Sequence, residues 1–168
     1  MAALRAGALA LVLTSMQAPL APAAAGTGQP VDGISCDANE GALFHIHQHL
    51  ALYVSGATQT VPGQIGIPPY GNCIYWLHTH QPDGIIHIEA PVYRSFSLGN
   101  FFDIWGQALG PTTLGMIHTK PGQMRVYLNG HRFAGNPRAI QLSLHADIVI
   151  EVKPPFFVPK PFTNWQGQ

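Results

Sequence analysis

From His45 to Val54 the chain alternates between apolar and polar positions, with Leu43, Ile46, Leu50, Leu52 and Val54 among its apolar members. A period of two predicts a β-strand with one buried face. Ser55-Gly56-Ala57 reads as a turn and Thr58 to Val61 as a return strand. A Gly/Pro-rich loop follows from Pro62 to Gly71. Ile74 to His80 predicts a second strong strand, Gln81-Pro82-Asp83-Gly84 a turn, and Ile85 to Glu89 the hairpin partner, which Pro91 stops.

The period changes once. Leu98, Phe101, Phe102, Trp105 and Leu109 recur at three- and four-residue intervals after Ser97, a good N-cap, and Gly110-Pro111 closes the run. This predicts one short helix whose aromatic stripe packs into the core. The last third returns to β. Met124 to Leu128 runs into Asn129-Gly130, a type I′ hairpin signal, and His131 to Ala134 returns. Ala139 to Leu144 and Asp147 to Val152 read as two further strands. Leu52-Tyr53-Val54-Ser55-Gly56-Ala57 matches Val126-Tyr127-Leu128-Asn129-Gly130-His131 in pattern, which suggests two related hairpin units. The expected fold is mainly β: a compact antiparallel sheet, sandwich or barrel-like domain with one short aromatic helix.

Three segments are expected. Residues 1–25 have a weakly basic start, an apolar run from Ala6 to Leu13, helix-breaking Pro19 and Pro22, and small residues before Gly26. They read as a secretory signal peptide, with a retained anchor as the alternative. The apolar run is shorter than the roughly 20 residues a spanning helix needs. No later segment predicts a stable membrane span. Residues 26–152 form a single β-rich domain, opened by an irregular arm over 26–42. Residues 153–168, rich in Pro with Phe156, Phe157, Phe162 and Trp165, form a tail that lies extended across the domain or reaches a neighbour. The predicted localisation is periplasmic or secreted.

Charge narrows the function. Eight Lys/Arg balance eight Asp/Glu, which leaves no basic footprint for nucleic acid or an acidic membrane surface. The 18 Gly and 15 Pro suit short strands and many turns. In an oxidising compartment the two cysteines, Cys36 and Cys73, are first read as a disulfide, contributing about 3–4 kcal/mol. Thiolate ligation by Cys73, five residues before His78, is the alternative.

The candidate chemistry lies in the histidines. Six of nine fall between residues 45 and 87, in the runs His45-Ile46-His47-Gln48-His49 and His78-Thr79-His80, followed by His87-Ile88-Glu89. Side chains two apart on a strand share a face, roughly 6.5–7 Å apart at Cα. A His-x-His pair can therefore swing inward on one ion at metal–nitrogen distances near 2.0–2.1 Å. The candidate ligands are His78 and His80 first, then His87, then His47 and His49, with His45 at the strand edge. Glu89 is a ligand, a partner fixing an imidazole tautomer, or a proton-transfer group if the protein is an enzyme. His118, His131 and His145 are isolated and read as structural or exposed. Met116 and Met124 form at most a weak soft-metal patch. A histidine-rich, oxygen-poor donor set suits copper or zinc, with copper ranked first, and iron if Glu89 ligates.

The stretch from Trp76-Leu77-His78-Thr79-His80 through Gly84-Ile85-Ile86-His87-Ile88-Glu89, with His45-Ile46-His47-Gln48-His49 before it and Ser97 to Gly106 after it, resembles an uncharacterised family of exported bacterial proteins. That resemblance implies export and supplies no mechanism. The strand-borne His-x-His with a downstream carboxylate is also similar to the ligand arrangement of cupins. Glu89, however, lies nine residues after His80, farther than in a cupin, and the second cupin motif is absent.

These features predict an exported metal-binding protein for storage, delivery or protection. The alternative is a mononuclear metalloenzyme with three histidine ligands and Glu89 managing protons. A third reading is a pH-responsive interaction module, since clustered imidazoles repel one another once protonated. A metal-free pH transition would mark the third.

Overall fold

A computed structural model describes residues 28–165. The expected signal peptide lies outside the described residues. The elements in chain order are β1 (Cys36–Asp37), β2 (Phe44–Val54), β3 (Ala57–Gln59), β4 (Ile74–Tyr75), β5 (Leu77–His78), β6 (Ile85–Ala90), α1 (Leu98–Trp105), β7 (Leu109–Gly110), β8 (Thr113–Leu114), β9 (Ile117–His118), β10 (Met124–Leu128), β11 (His131–Phe133), a 3-10 turn at Pro137–Ala139, and β12 (Asp147–Val152). The fold is mainly β with one short helix, as the pattern predicts.

One sheet organises the molecule, in the order β11-β10-β12-β2-β6-β5, with β3 also paired to β2. Every neighbouring pair is antiparallel except β12 and β2, which run parallel. Strand alternation gives the sheet two chemically distinct faces. The inner face carries Leu50, Leu52 and Val54 of β2, Ile86, Ile88 and Ala90 of β6, and Ile148, Ile150 and Val152 of β12, all in the core. The outer face carries the intervening residues: His45, His47 and His49 of β2, His87 and Glu89 of β6, Asp147 and Glu151 of β12. Alternation therefore sorts the apolar stabilisation to one side and the titratable groups to the other.

Helix α1 covers the inner face. Ser97 Oγ accepts from the Asn100 amide at 3.3 Å, and Asn100 Oδ1 accepts from the Ser97 amide at 2.9 Å, closing a capping box. Leu98, Phe101, Phe102, Ile104 and Trp105 are buried against the sheet residues. The helix ends at Trp105, short of Leu109. Gly106 takes φ 71° there and donates to the Asp103 carbonyl at 3.1 Å, which turns the chain out of the helix. Leu109 instead enters β7 of the small three-stranded sheet β7-β8-β9.

Two further expectations are corrected. The predicted strand from Ile74 to His80 divides at Trp76. Ile74–Tyr75 pairs with β1, whereas Leu77–His78 pairs with β6, so one run serves two sheets. The predicted strand from Ala139 to Leu144 does not form. Pro137 opens a 3-10 turn, and only Gln141 makes a bridge, to Ser97. The repeated hairpin pattern corresponds to two real hairpins. Ser55 and Gly56 take φ 49° and 79°, Asn129 and Gly130 take φ 51° and 78°, so both turns have the paired positive φ of type I′.

The disulfide forms between Cys36 and Cys73. It binds the N-terminal arm beside β4, and Trp76 Nε1 donates to Asp37 Oδ2 at 2.6 Å in the same place. No described helix is long and apolar enough to cross a membrane.

Candidate metal centre

Register brings the histidines together. β6 lies between β2 and β5, so His47 faces His87 on one side and His78 faces His87 on the other. His45 faces Glu89. The result is a row of three imidazoles across three strands, with His80 beyond one end and the His45–Glu89 pair alongside. The ring centroids of His87 lie 4.5 Å from His47, 5.3 Å from His78 and 4.6 Å from His80.

The donor atoms form two overlapping groups of four, each with its ligand atoms within 4.8 Å of one another. One is His45, His47, His87 and Glu89; the other is His78, His80, His87 and Glu89. Within each His-x-His arm the two Nε2 atoms nearly touch, at 3.0 Å for His45 and His47 and 3.2 Å for His78 and His80. Two nitrogens on one ion at the usual bond length lie about 2.9 Å apart at a right angle and about 3.3 Å apart at a tetrahedral angle. Both arms are thus spaced as chelating pairs. These groups could hold a metal ion.

The surroundings fix the donors. His78 is fully buried, and its Nδ1–H donates to the Tyr75 carbonyl at 2.9 Å, which leaves the Nε2 lone pair facing His80. A carbonyl behind a ligand imidazole sets its tautomer and orientation. Thr79, between the two histidines, points the other way and anchors the arm. Its Oγ1 donates to the Pro62 carbonyl at 2.8 Å and accepts from the Ile65 amide at 3.1 Å. Backbone bonds between Gln64 and Thr79, and between Thr79 and Ile65, stitch the Gly/Pro-rich loop behind the arm. Gly66 is needed there. At φ 74° a Cβ would sit 2.5 Å from the Leu77 carbonyl and 3.1 Å from the His78 Cβ.

Burial and neighbouring charges hold His47, His78 and His87 toward the neutral form, the form that binds metal. Burial is the largest cause, and it lowers His78 to about 4. His87 falls to about 3 through burial and then the neighbouring His78 and His47. His47 is lowered by burial and by His45. Burial and the nearby Glu40 carboxylate push Glu89 up to about 7. His87 Nδ1 is buried with no hydrogen-bond partner, 3.6 Å from Glu89 Oε1, so its polarity is uncompensated by protein atoms.

His49 is not brought into either group. Its Nδ1–H donates to Asp147 Oδ1 at 2.9 Å, and its ring stacks on Phe162 at 3.7 Å between centroids. The tail holds it there by lying across the outer face. The Phe162 amide donates to Asp147 Oδ2 at 3.0 Å, the Phe157 amide to Glu151 Oε1 at 2.8 Å, and Trp165 stacks on His145. Tail and sheet border an open pocket of about 440 Å³, which His49, Tyr53 and Phe162 line and the grouped histidines do not. His118 and His131 are exposed and outside both groups. Met116 is exposed while Met124 is buried in the core, so they make no joint patch.

Sequence reasoning missed Glu40. Its Oε1 lies 3.5 Å from His80 Nε2 and 4.0 Å from His78 Nε2. It sits on the irregular arm, where no period marks it; the tether at Cys36, the β1–β4 pairing, the Trp76–Asp37 hydrogen bond and the Gly41 amide donating to the Glu89 carbonyl bring it over the second group. Together, fold and site define a β domain with a histidine- and carboxylate-lined face that could hold a metal ion. No protein-family model, curated protein or solved structure matches the chain.

Proposed function

We propose that this protein binds a transition metal on the outer face of its sheet, copper in preference to zinc, and serves metal storage, delivery or protection outside the cytoplasm. The observation that carries this is the pair of chelating His-x-His arms converging on His87 and Glu89. Imidazoles in this number, with few oxygens, favour copper and zinc over magnesium, calcium or manganese. The disulfide fits an oxidising compartment, where exported proteins meet these metals.

One observation supports an enzymatic second reading. Glu89 is raised to about 7 beside the candidate ligands, in the range a proton-transfer group needs at neutral pH. Hydrolytic or oxidative turnover by the metal-loaded protein, lost in Glu89→Gln, would establish it.

The test is metal content by mass spectrometry on protein purified with its disulfide intact, beside a His47→Ala/His78→Ala/His87→Ala variant whose fold is checked by circular dichroism. Bound copper or zinc, lost in the variant, is the expected result. No bound metal and no affinity tighter than about micromolar, near −8 kcal/mol, overturns the proposal.

A further inference from the structure

We propose that the histidine face is a two-ion centre: His45 and His47 hold one divalent transition-metal ion, His78 and His80 hold a second, and the Glu89 carboxylate bridges them. This rests on the metal-binding reading above and specifies its form.

The topology splits the donors. One arm rises from β2 and the other from β5 and the residues just after it, while His87 and Glu89 stand on β6 between them. Neighbouring strands are about 4.8 Å apart, so the arms start from backbones about two such spacings apart. Each arm has closed on itself, at 3.0 Å and 3.2 Å between its own nitrogens. Donors on one ion cannot lie farther apart than about 4.2 Å, twice the bond length. The atoms instead assemble as two groups of four that share only the residues of the middle strand.

The shared residues have the chemistry of a bridge. A carboxylate carries two oxygens and can give one to each ion, and paired ions in such sites lie about 3.5–4 Å apart. Glu89 Oε1 is 3.1 Å from His45 Nε2 and 3.6 Å from His87 Nδ1, so the carboxylate already faces the β2 arm and the central ring. The unpartnered, buried Nδ1 of His87 is a further donor at the same place. Charge is balanced asymmetrically. Glu40 stands over the β5 arm, giving the second ion a carboxylate of its own, whereas the first ion has only Glu89.

The test is stoichiometry. Chelator-stripped protein with its disulfide intact is titrated with zinc(II) and, separately, copper(II), desalted and analysed for metal per chain. The wild type is expected to retain two ions, and His45→Ala/His47→Ala and His78→Ala/His80→Ala one each. His78 is buried, so the single variants His45→Ala and His80→Ala, at the more exposed position of each arm, guard against misfolding. Each should weaken one binding step at least tenfold and spare the other. One ion in the wild type, lost in both double variants, overturns the two-ion centre and leaves metal binding standing. Two ions retained in either double variant also overturns it, by placing an ion elsewhere. No ion in the wild type overturns the metal-binding reading itself.

Discussion

Removing the Cys36–Cys73 disulfide should cost stability while sparing the site. The bond closes a sequence separation of 37 residues. In the chain-entropy treatment, a loop of that length restrains the unfolded chain by about 4 kcal/mol at 25 °C. In the native state other contacts share its position: β1 remains paired with β4, and Trp76 still donates to Asp37. The loss should therefore come mostly from a freer unfolded chain, with little change in native geometry. At about 3 °C per kcal/mol for a domain of this size, Tm should fall by about 12 °C. The assay is urea unfolding of Cys36→Ser/Cys73→Ser beside the wild type, both stripped of metal so that ligand binding adds nothing to either. The denaturant slope should rise, because the uncrosslinked chain exposes more surface. Metal affinity measured afterwards should change less than tenfold, because the contacts around Glu40 persist. A loss below about 1.5 kcal/mol with an unchanged slope would refute the loop-closure reasoning.

Three other outcomes are expected. His49→Ala should leave metal content unchanged, because Asp147 and Phe162 hold that ring outside both groups; loss of an ion on elemental analysis would refute this. Gln48 is fully buried on the apolar face with both amide atoms unpartnered, so Gln48→Leu should stabilise the protein by about 1–2 kcal/mol in denaturant melts, and a loss would show a hidden partner. The metal-free protein should be less stable at pH 4.5 than at pH 6.5. His78 and His87 titrate near 6.5 when unfolded but at about 4 and about 3 when folded, so the unfolded chain binds more protons across this window and acid favours it. Glu89, raised from 4.5 to about 7, acts oppositely: its contribution is complete at low pH and is lost as pH rises through 7. Two histidines outweigh one carboxylate below pH 6.5, and above it the gain should stop. Thermal melts in chelator across this range check the sign, and a profile that falls from pH 4.5 to 6.5 contradicts it.

The features legible from residue spacing are local. Alternation along Phe44–Val54 and Ile85–Ala90 placed histidines on one face and aliphatics on the other, because a strand's side chains can only alternate. Asn129-Gly130 and Ser55-Gly56 specified their turns through the positive φ they tolerate, and Ser97 with Asn100 capped the helix through its own hydrogen bonds. The pairing of Cys36 with Cys73 followed from there being two cysteines. Features that depend on distant partners are set by long-range packing. His47 and His49 are equivalent by period. One lands opposite His87 and the other opposite Ile85 and beside Asp147, because register against β6 and the parallel arrival of β12 assign their neighbours. Ile74 to His80 looks like one strand and divides, because β1 claims its first half and β6 its second. Glu40 enters the site because long-range contacts, the β1–β4 pairing, the Trp76–Asp37 and Gly41–Glu89 hydrogen bonds and the crosslink, carry an aperiodic arm across the sheet edge. The spacing of residues in a chain fixes which face a side chain occupies; only the packing of distant segments fixes what it meets there.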